Sequence, residues 1–215
     1  LPTVYAEAGR DRATSLGDML FSTAFRILVD GDDVKAVAEI SDTAVDLARG
    51  ELMQRRGAFN TSLEETEYLD RCRLKTARLF EAACVLGRDS VGGGDGDVVA
   101  LFGHRIGLAF QMLDDVLDIA GPVERTGKAR GTDLLDGTVT LPFIEAAKVD
   151  PTLRDYDLAS LDEVAAEALC DRISATGALD SVRSRAMGLI EEAKAGLTGT
   201  AIEPGQRKLL DLIAD

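Results

Sequence analysis

The chain has 215 residues, enough for one sizeable hydrophobic core. It carries 38 acidic against 24 basic residues, a formal net charge of −14, which argues against nucleic acid as a partner because phosphate backbones are bound by basic surfaces. With 46% hydrophobic residues the chain should fold; the dominance of Ala, Leu, Glu, Asp and Arg with only five prolines fits an all-α protein, and no run approaches the ~20 apolar residues of a membrane span.

Leu1-Pro2-Thr3-Val4 reads as a continuation rather than a beginning. A first helix is predicted from about Thr14 to Val29, with Leu16, Met19, Leu20, Ala24, Ile27 and Leu28 toward one side. Asp30-Gly31-Asp32-Asp33 ends it and opens a second helix, about Asp33 to Arg55, with Val37, Ile40, Ala44, Leu47 and Leu52 at helical spacing. Ser62-Leu63-Glu64-Glu65 reads as a capping box for a helix that runs to about Leu86 and stops at Gly87. Lys75 and Thr76 sit in the middle of that helix, where a lone lysine reads as a snorkelling surface residue. The glycine-rich stretch Gly92-Gly93-Gly94-Asp95-Gly96 has no GK[ST] after it and reads as a helix connection rather than a phosphate loop.

The longest apolar helix is expected from about Val98 to Ile119. Gly103 and Gly107, four apart, predict a close helix–helix approach, since glycine inside a helix costs ~1 kcal/mol relative to alanine and calls for a packing reason. The same helix ends in Asp114-Asp115-Val116-Leu117-Asp118 before Gly121-Pro122. Asp114 and Asp118 are one turn apart, and Asp115 lies about 100° round from Asp114. Like charges one turn apart repel by a few tenths of a kcal/mol, and the C-terminus is the unfavourable helix end for anions. Read alone, the cluster is a solvated helix end; its misplacement is the hint that a cation binds, and hard carboxylates suit Mg²⁺ or Ca²⁺.

A Gly-bounded loop, Thr126 to Asp133, read alone is an ordinary polar loop, although its place just after the acidic helix end could bring Lys128 and Asp133 back over the cluster. Pro142 then opens a short helix to about Lys148. Ser160-Leu161-Asp162-Glu163 reads as a second capping box, opening a helix to about Ala175. A further helix is expected from Leu179 to Leu197, and a final one after Glu203-Pro204-Gly205. Cys72, Cys84 and Cys170 form no CxxC, and an odd, scattered set suits a reducing cytoplasm. The single histidine, His104, makes a zinc site a poor reading.

In this order, Leu1-Pro2-Thr3-Val4, Gly17-Asp18, Gly50-Glu51-Leu52-Met53-Gln54, Lys75-Thr76-Ala77, Phe110-Gln111-Met112-Leu113-Asp114-Asp115-Val116-Leu117-Asp118, Gly127-Lys128 with Gly131-Thr132-Asp133-Leu134, and Thr140-Leu141-Pro142 are similar to motifs of the trans-isoprenyl diphosphate synthases, in particular the prokaryotic polyprenyl type. The resemblance implies an all-α, isoprenoid synthase-type helical bundle around a deep central cavity. It implies a prenyltransferase that condenses an allylic diphosphate with isopentenyl diphosphate to a longer trans-polyprenyl diphosphate, with Mg²⁺ and release of pyrophosphate. The product would be lipid-soluble, and a cytoplasmic homodimer is the family expectation.

By the same resemblance Asp114 is the principal metal ligand, with Asp115, Asp118 and Asp133 acting directly or through water. Lys75 and Lys128 match lysines that contact the allylic diphosphate. Thr76 and Gln111 match positions that line the developing carbocation. The family's first Asp-rich motif is expected upstream of Leu1, so residues 1–215 read as a single domain cut at its N-terminus and slightly at its C-terminus, inactive by itself. At Thr138 many members carry a lysine. The alternative reading is a non-catalytic subunit or pseudo-enzyme of the same fold that pairs with a catalytic partner.

Overall fold

The computed structural model describes residues 3–90, 92, 96–121, 130–199 and 202–214. The glycine-rich stretch at 93–95 and Gly127-Lys128 lie outside the described residues. Helices account for the regular structure, with no strand among the described residues. No described helix is long and apolar enough to cross a membrane. The chain forms two units, up to Asp42 and from Thr43 onward.

The first unit contains α1 (Val4–Asp30) and the start of α2 (Val34–Arg56). Helix α1 begins ten residues earlier than the periodicity predicts, because Thr3 caps it by accepting a hydrogen bond from the Ala6 N–H at 3.2 Å. Gly9, at φ 80° and ψ 174°, breaks the helical path inside it. Gly31 ends it by donating to the Ile27 and Leu28 carbonyls, and the Asp33 carboxylate caps α2 through the Ala36 N–H. No residue of α1 is buried; Met19, Leu20 and Ile27 of the predicted stripe are exposed.

The second unit is built on α5 (Gly96–Ala120). Phe102, Ile106, Ala109, Met112, Val116 and Ile119 repeat at helical spacing along it and are buried. Fully burying each large aliphatic or aromatic chain contributes about 1.5–3 kcal/mol. Helix α5 packs on one side against α4 (Arg78–Ser90) and on another against α9 (Ala178–Gly196). The predicted close approach is present: a Cβ on Gly103 would lie 2.6 Å from the Phe80 carbonyl oxygen, and one on Gly107 2.5 Å from the Ala77 Cα.

A continuous helical run crosses the next layer: α3 (Glu65–Cys72), a π-helical turn (Arg73–Ala77) and α4. It passes through Gly87, the predicted stop, to Ser90. Its start also differs. The cap is Glu64, whose N–H donates to the Glu67 carboxylate at 3.4 Å, and not Ser62. The Asn60 side chain takes the Ser62 N–H first, and the resulting turn buries Leu63. Leu63 and Tyr68 then stand in the positions of a hydrophobic staple, both buried. Likewise Asp162, not Ser160, caps α8 (Glu163–Ala175) by accepting from the Ala165 N–H at 2.8 Å.

A one-turn helix, α6 (Thr132–Leu135), leads into α7 (Leu141–Val149), whose Leu141, Pro142, Phe143 and Ile144 are all buried. Two 3-10 turns (Pro151–Asp155 and Leu158–Ser160) connect α7 to α8, and α10 (Pro204–Ala214) closes the chain. The three cysteines are unpaired, and His104 lies beside Glu81 at 3.6 Å.

Candidate active site

One polar cavity of about 210 Å³ in the second unit is lined by residues of four segments. The π turn and α3 supply Arg71, Cys72, Lys75 and Thr76; α5 supplies Gln111, Asp114 and Asp115; Asp133, Thr138 and Thr140 come from the stretch after it; and Gln54 comes from α2.

The π turn is what aims the lysine and threonine. A π turn carries one extra residue per turn, so it rotates the side chains it contains relative to the helix on either side. Helix α2 fits against it at Gly50, where a Cβ would lie 2.6 Å from the Lys75 nitrogen and 2.9 Å from its Cα. That closeness sets Glu51 and Gln54 beside Lys75. The Lys75 ammonium lies 3.0 Å from the Glu51 carboxylate and donates to Gln54 Oε1 at 2.8 Å. The Glu51 carboxyl is held below its usual range, chiefly by this hydrogen bond with Lys75. Gln54 in turn donates to the Thr138 hydroxyl at 3.2 Å.

From Thr76 a second chain of hydrogen bonds runs inward. The Thr76 hydroxyl donates to Gln111 Oε1 at 2.7 Å, and Gln111 Nε2 donates to Asp115 Oδ1 at 2.9 Å. The Tyr68 hydroxyl donates to the other oxygen, Asp115 Oδ2, at 2.7 Å. Arg71, also buried, donates to the Val139 carbonyl at 2.8 Å and lies over the Tyr68 ring. Tyr68 and Arg71 are the residues that motif reading missed. Their signal was positional: they stand seven and four residues before Lys75, on its face of the helix.

The three aspartates of the cluster have different surroundings. Asp114 is exposed on the cavity wall. Asp115 is 2% exposed and falls in the register of the buried stripe Met112, Val116 and Ile119. Burial pushes its carboxyl up to about 6, against the hydrogen bonds from Tyr68 and Gln111. Asp118 does not line the cavity; its carboxylate accepts the Asp133 N–H at 3.2 Å, and its carbonyl accepts the Gly131 N–H at 2.9 Å. Arg130 donates to the Ile119 carbonyl at 2.9 Å. Arg130 to Asp133 therefore lie over the end of α5 and satisfy its terminal carbonyls, while Lys128 lies outside the described residues.

Gly131 at φ 73° and Gly137 at φ 74° make the two reversals that bring Asp133 to the cavity. Burial, and then Asp118, Asp115 and Asp114, push the Asp133 carboxyl up to about 7. The Cys72 thiol is pushed up to about 12 by burial and by Asp115, so it is no nucleophile near neutral pH.

Among the described residues no three Asp, Glu, His or Cys side chains are assembled as a complete metal cage. The carboxylates on the wall nevertheless fit a hard dication. Mg²⁺ is held through one or two carboxylates, with phosphate oxygens and water completing the shell. Asp114 and Asp133 would supply such oxygens; at Asp133, burial first and the neighbouring aspartates next disfavour the bare charge.

Comparison with known proteins places this geometry. The polyprenyl synthetase family profile matches residues 1–169. The chain is 35% identical over 224 residues to a geranylgeranyl diphosphate synthase of Methanosarcina mazei, covering all of this chain and 68% of the relative. It is 37% identical over 147 residues to heptaprenyl diphosphate synthase component 2 of Geobacillus stearothermophilus, covering 67% of this chain and 46% of the relative. A polyprenyl synthase of Caulobacter crescentus, solved in complex with calcium and isoprenyl diphosphate, superposes with a TM-score of 0.90 at 29% identity, over 98% of this chain and 66% of that one. The chain thus spans about two thirds or less of the length of these relatives. Family membership does not bear out the expectation that the chain is inactive by itself. With an all-α fold, a match over most of its length and a cavity that assembles the expected lysine, threonine, glutamine and aspartates, the chain belongs to the polyprenyl synthetase family.

Proposed function

We propose that the chain is the larger part of a Mg²⁺-dependent trans-prenyltransferase that joins an allylic diphosphate to isopentenyl diphosphate, head to tail, and releases pyrophosphate. The observation that carries this reading is one cavity wall on which Lys75, Thr76, Gln111, Asp114 and Asp133 meet. The names of the Methanosarcina and Geobacillus relatives, both diphosphate synthases, support the substrate class.

Ionising an allylic diphosphate separates charge, so the groups that count are those binding the transition state more tightly than the substrate. Lys75, held by Glu51 and Gln54, presents an ammonium to the leaving diphosphate. Lys128 is assigned the same task by the family resemblance alone. Asp114 and Asp133 would hold Mg²⁺, with Asp118 fixing the Asp133 backbone. When bound, the metal neutralises the charge that develops on the departing diphosphate. Thr76 and Gln111 turn oxygen dipoles, which are weak nucleophiles, toward the allylic cation. A net charge of −14 disfavours direct binding of a free diphosphate, which favours a bridging cation and a few placed lysines.

In the full-length protein, purified with Mg²⁺ and both diphosphates, Asp114→Ala and Lys128→Ala each lower kcat/KM by about 10²–10³-fold, the range for losing one transition-state contact. Normal turnover in both variants sinks the reading. A homodimer in the cytoplasm is the expected setting; the unpaired cysteines bear only on the compartment, where they accord with a reducing one. The second reading is a subunit that works only with a different chain, favoured by the name "component 2" of the Geobacillus relative. Turnover by the purified protein without any partner excludes it.

A further inference from the structure

We infer that Tyr68 and Asp115 are positioning residues: together they lock the direction of the Gln111 amide and, through it, of the Thr76 hydroxyl, and Asp115 is not a metal ligand. The inference rests on the proposed prenyltransferase site and deepens it. Four side chains are hydrogen-bonded in series, Tyr68 to Asp115 to Gln111 to Thr76, with donor–acceptor distances of 2.7, 2.9 and 2.7 Å. An ionised carboxylate only accepts, whereas a primary amide has one accepting and one donating end, which exchange places on a 180° turn. Asp115 removes that freedom. Facing a carboxylate, Gln111 must present Nε2 to it, so its Oε1 must face Thr76. Thr76 must then donate its proton to Gln111, which leaves the hydroxyl lone pairs as the surface offered to the cavity.

The Tyr68 hydroxyl serves the same end from the opposite side. It occupies Asp115 Oδ2, so both oxygens of this buried carboxylate are engaged inside the protein. Its neighbour Asp114 is exposed on the wall and has the free approach that a cation shared with a diphosphate requires. One helix end therefore divides its tandem acids between two tasks, coordination at Asp114 and dipole orientation at Asp115.

The test uses the full-length protein labelled with ¹⁵N on glutamine side chains, the Gln111 amide signal being identified by its loss in Gln111→Glu. Asp115→Asn offers a mixed donor and acceptor face and so permits both amide orientations. Tyr68→Phe keeps the ring and removes the donor. The expected result is a shifted Gln111 amide signal in both variants without substrate or metal. In turnover, kcat falls by up to about 10²-fold in Asp115→Asn, as for a misplaced catalytic group. It falls by about 10-fold in Tyr68→Phe, while KM for each diphosphate and the Mg²⁺ concentration for half-maximal rate stay within about twofold.

The inference is overturned if the Gln111 signal is unmoved in both variants. It is also overturned if Asp115→Asn raises the Mg²⁺ requirement as Asp114→Asn does and excess Mg²⁺ restores its rate. Should Asp115→Asn not fold, Tyr68→Phe decides alone, by its amide signal together with its kcat. A wild-type protein without turnover refutes the prenyltransferase reading, while the amide signals still decide the positioning role.

Discussion

Gly50→Ala isolates the contact on which the lysine site depends. In a helix interior this exchange normally stabilises, because alanine is favoured over glycine by about 1 kcal/mol. At Gly50 the new Cβ would lie 2.6 Å from the Lys75 nitrogen and 2.9 Å from Lys75 Cα and Cβ. Comfortable separation is about 3.5–4.0 Å, so α2 and the π turn must part by roughly 1 Å. Both partners are backbone, and neither can swing aside. Overpacking of this kind costs about 1–3 kcal/mol, so the net change after the propensity gain is a loss of about 0–2 kcal/mol. Gly188 on α9 is the internal control: a Cβ there meets nothing within 4 Å, so Gly188→Ala should gain about 0.5–1 kcal/mol. The assay is urea unfolding of both variants and the wild type, with the midpoint compared at constant slope. A separation of roughly 1 Å also misplaces Lys75, so kcat should drop in Gly50→Ala, by up to about 10²-fold, and not in Gly188→Ala. If Gly50→Ala matches Gly188→Ala in midpoint and in kcat, the reasoning about this contact is wrong.

Two further outcomes follow from the electrostatics. Asp133 and Asp115 have native carboxyls raised to about 7 and about 6 from 3.8, so the folded state binds more protons than the unfolded state between those values. Stability contributed by these groups is therefore present near pH 4 and lost as pH rises toward 7. In thermal melts of the metal-free protein, Asp133→Asn should flatten the decline between about pH 4 and about pH 7; an unchanged profile counts against the burial of that carboxyl. Mg²⁺ with inorganic pyrophosphate should raise the melting midpoint more than either alone, by the equivalent of about 2.7 kcal/mol at a hundredfold excess over Kd. Asp114→Ala should abolish that shift, and its persistence would remove Asp114 from the metal site.

Much of the fold can be read along the chain because it is helical, and helix periodicity is local. The buried stripe of α5, the interior glycines Gly103 and Gly107 and the short helix behind Pro142 are all present where their residues predict them. Boundaries were less legible. Ser62 and Ser160 carry capping chemistry, yet Glu64 and Asp162 are the caps, at Glu64 because the chain turns first to bury Leu63. Gly87 resembles a stop, but α4 continues to Ser90. The stripe of α1 is legible as a pattern, while its exposure is not.

By itself the sequence determines the residue types of the site. A lysine next to a threonine, a glutamine three residues before paired aspartates and a further aspartate after a glycine are chemical facts that no folding alters. Tertiary structure alone decides what each of them does. The π turn at Arg73–Ala77 is held against Gly50, a position 25 residues away in sequence, and it sets where Lys75 and Thr76 point. The Asp-rich cluster is likewise split by packing: Asp114 remains on the cavity wall, whereas Asp115 turns into the core and meets Tyr68, 47 residues away. Spacing along one helix fixes only an angle about its axis. Which side of that axis becomes dry depends on α3 and the elements packed on it, and a carboxylate that loses water must find donors in the protein instead.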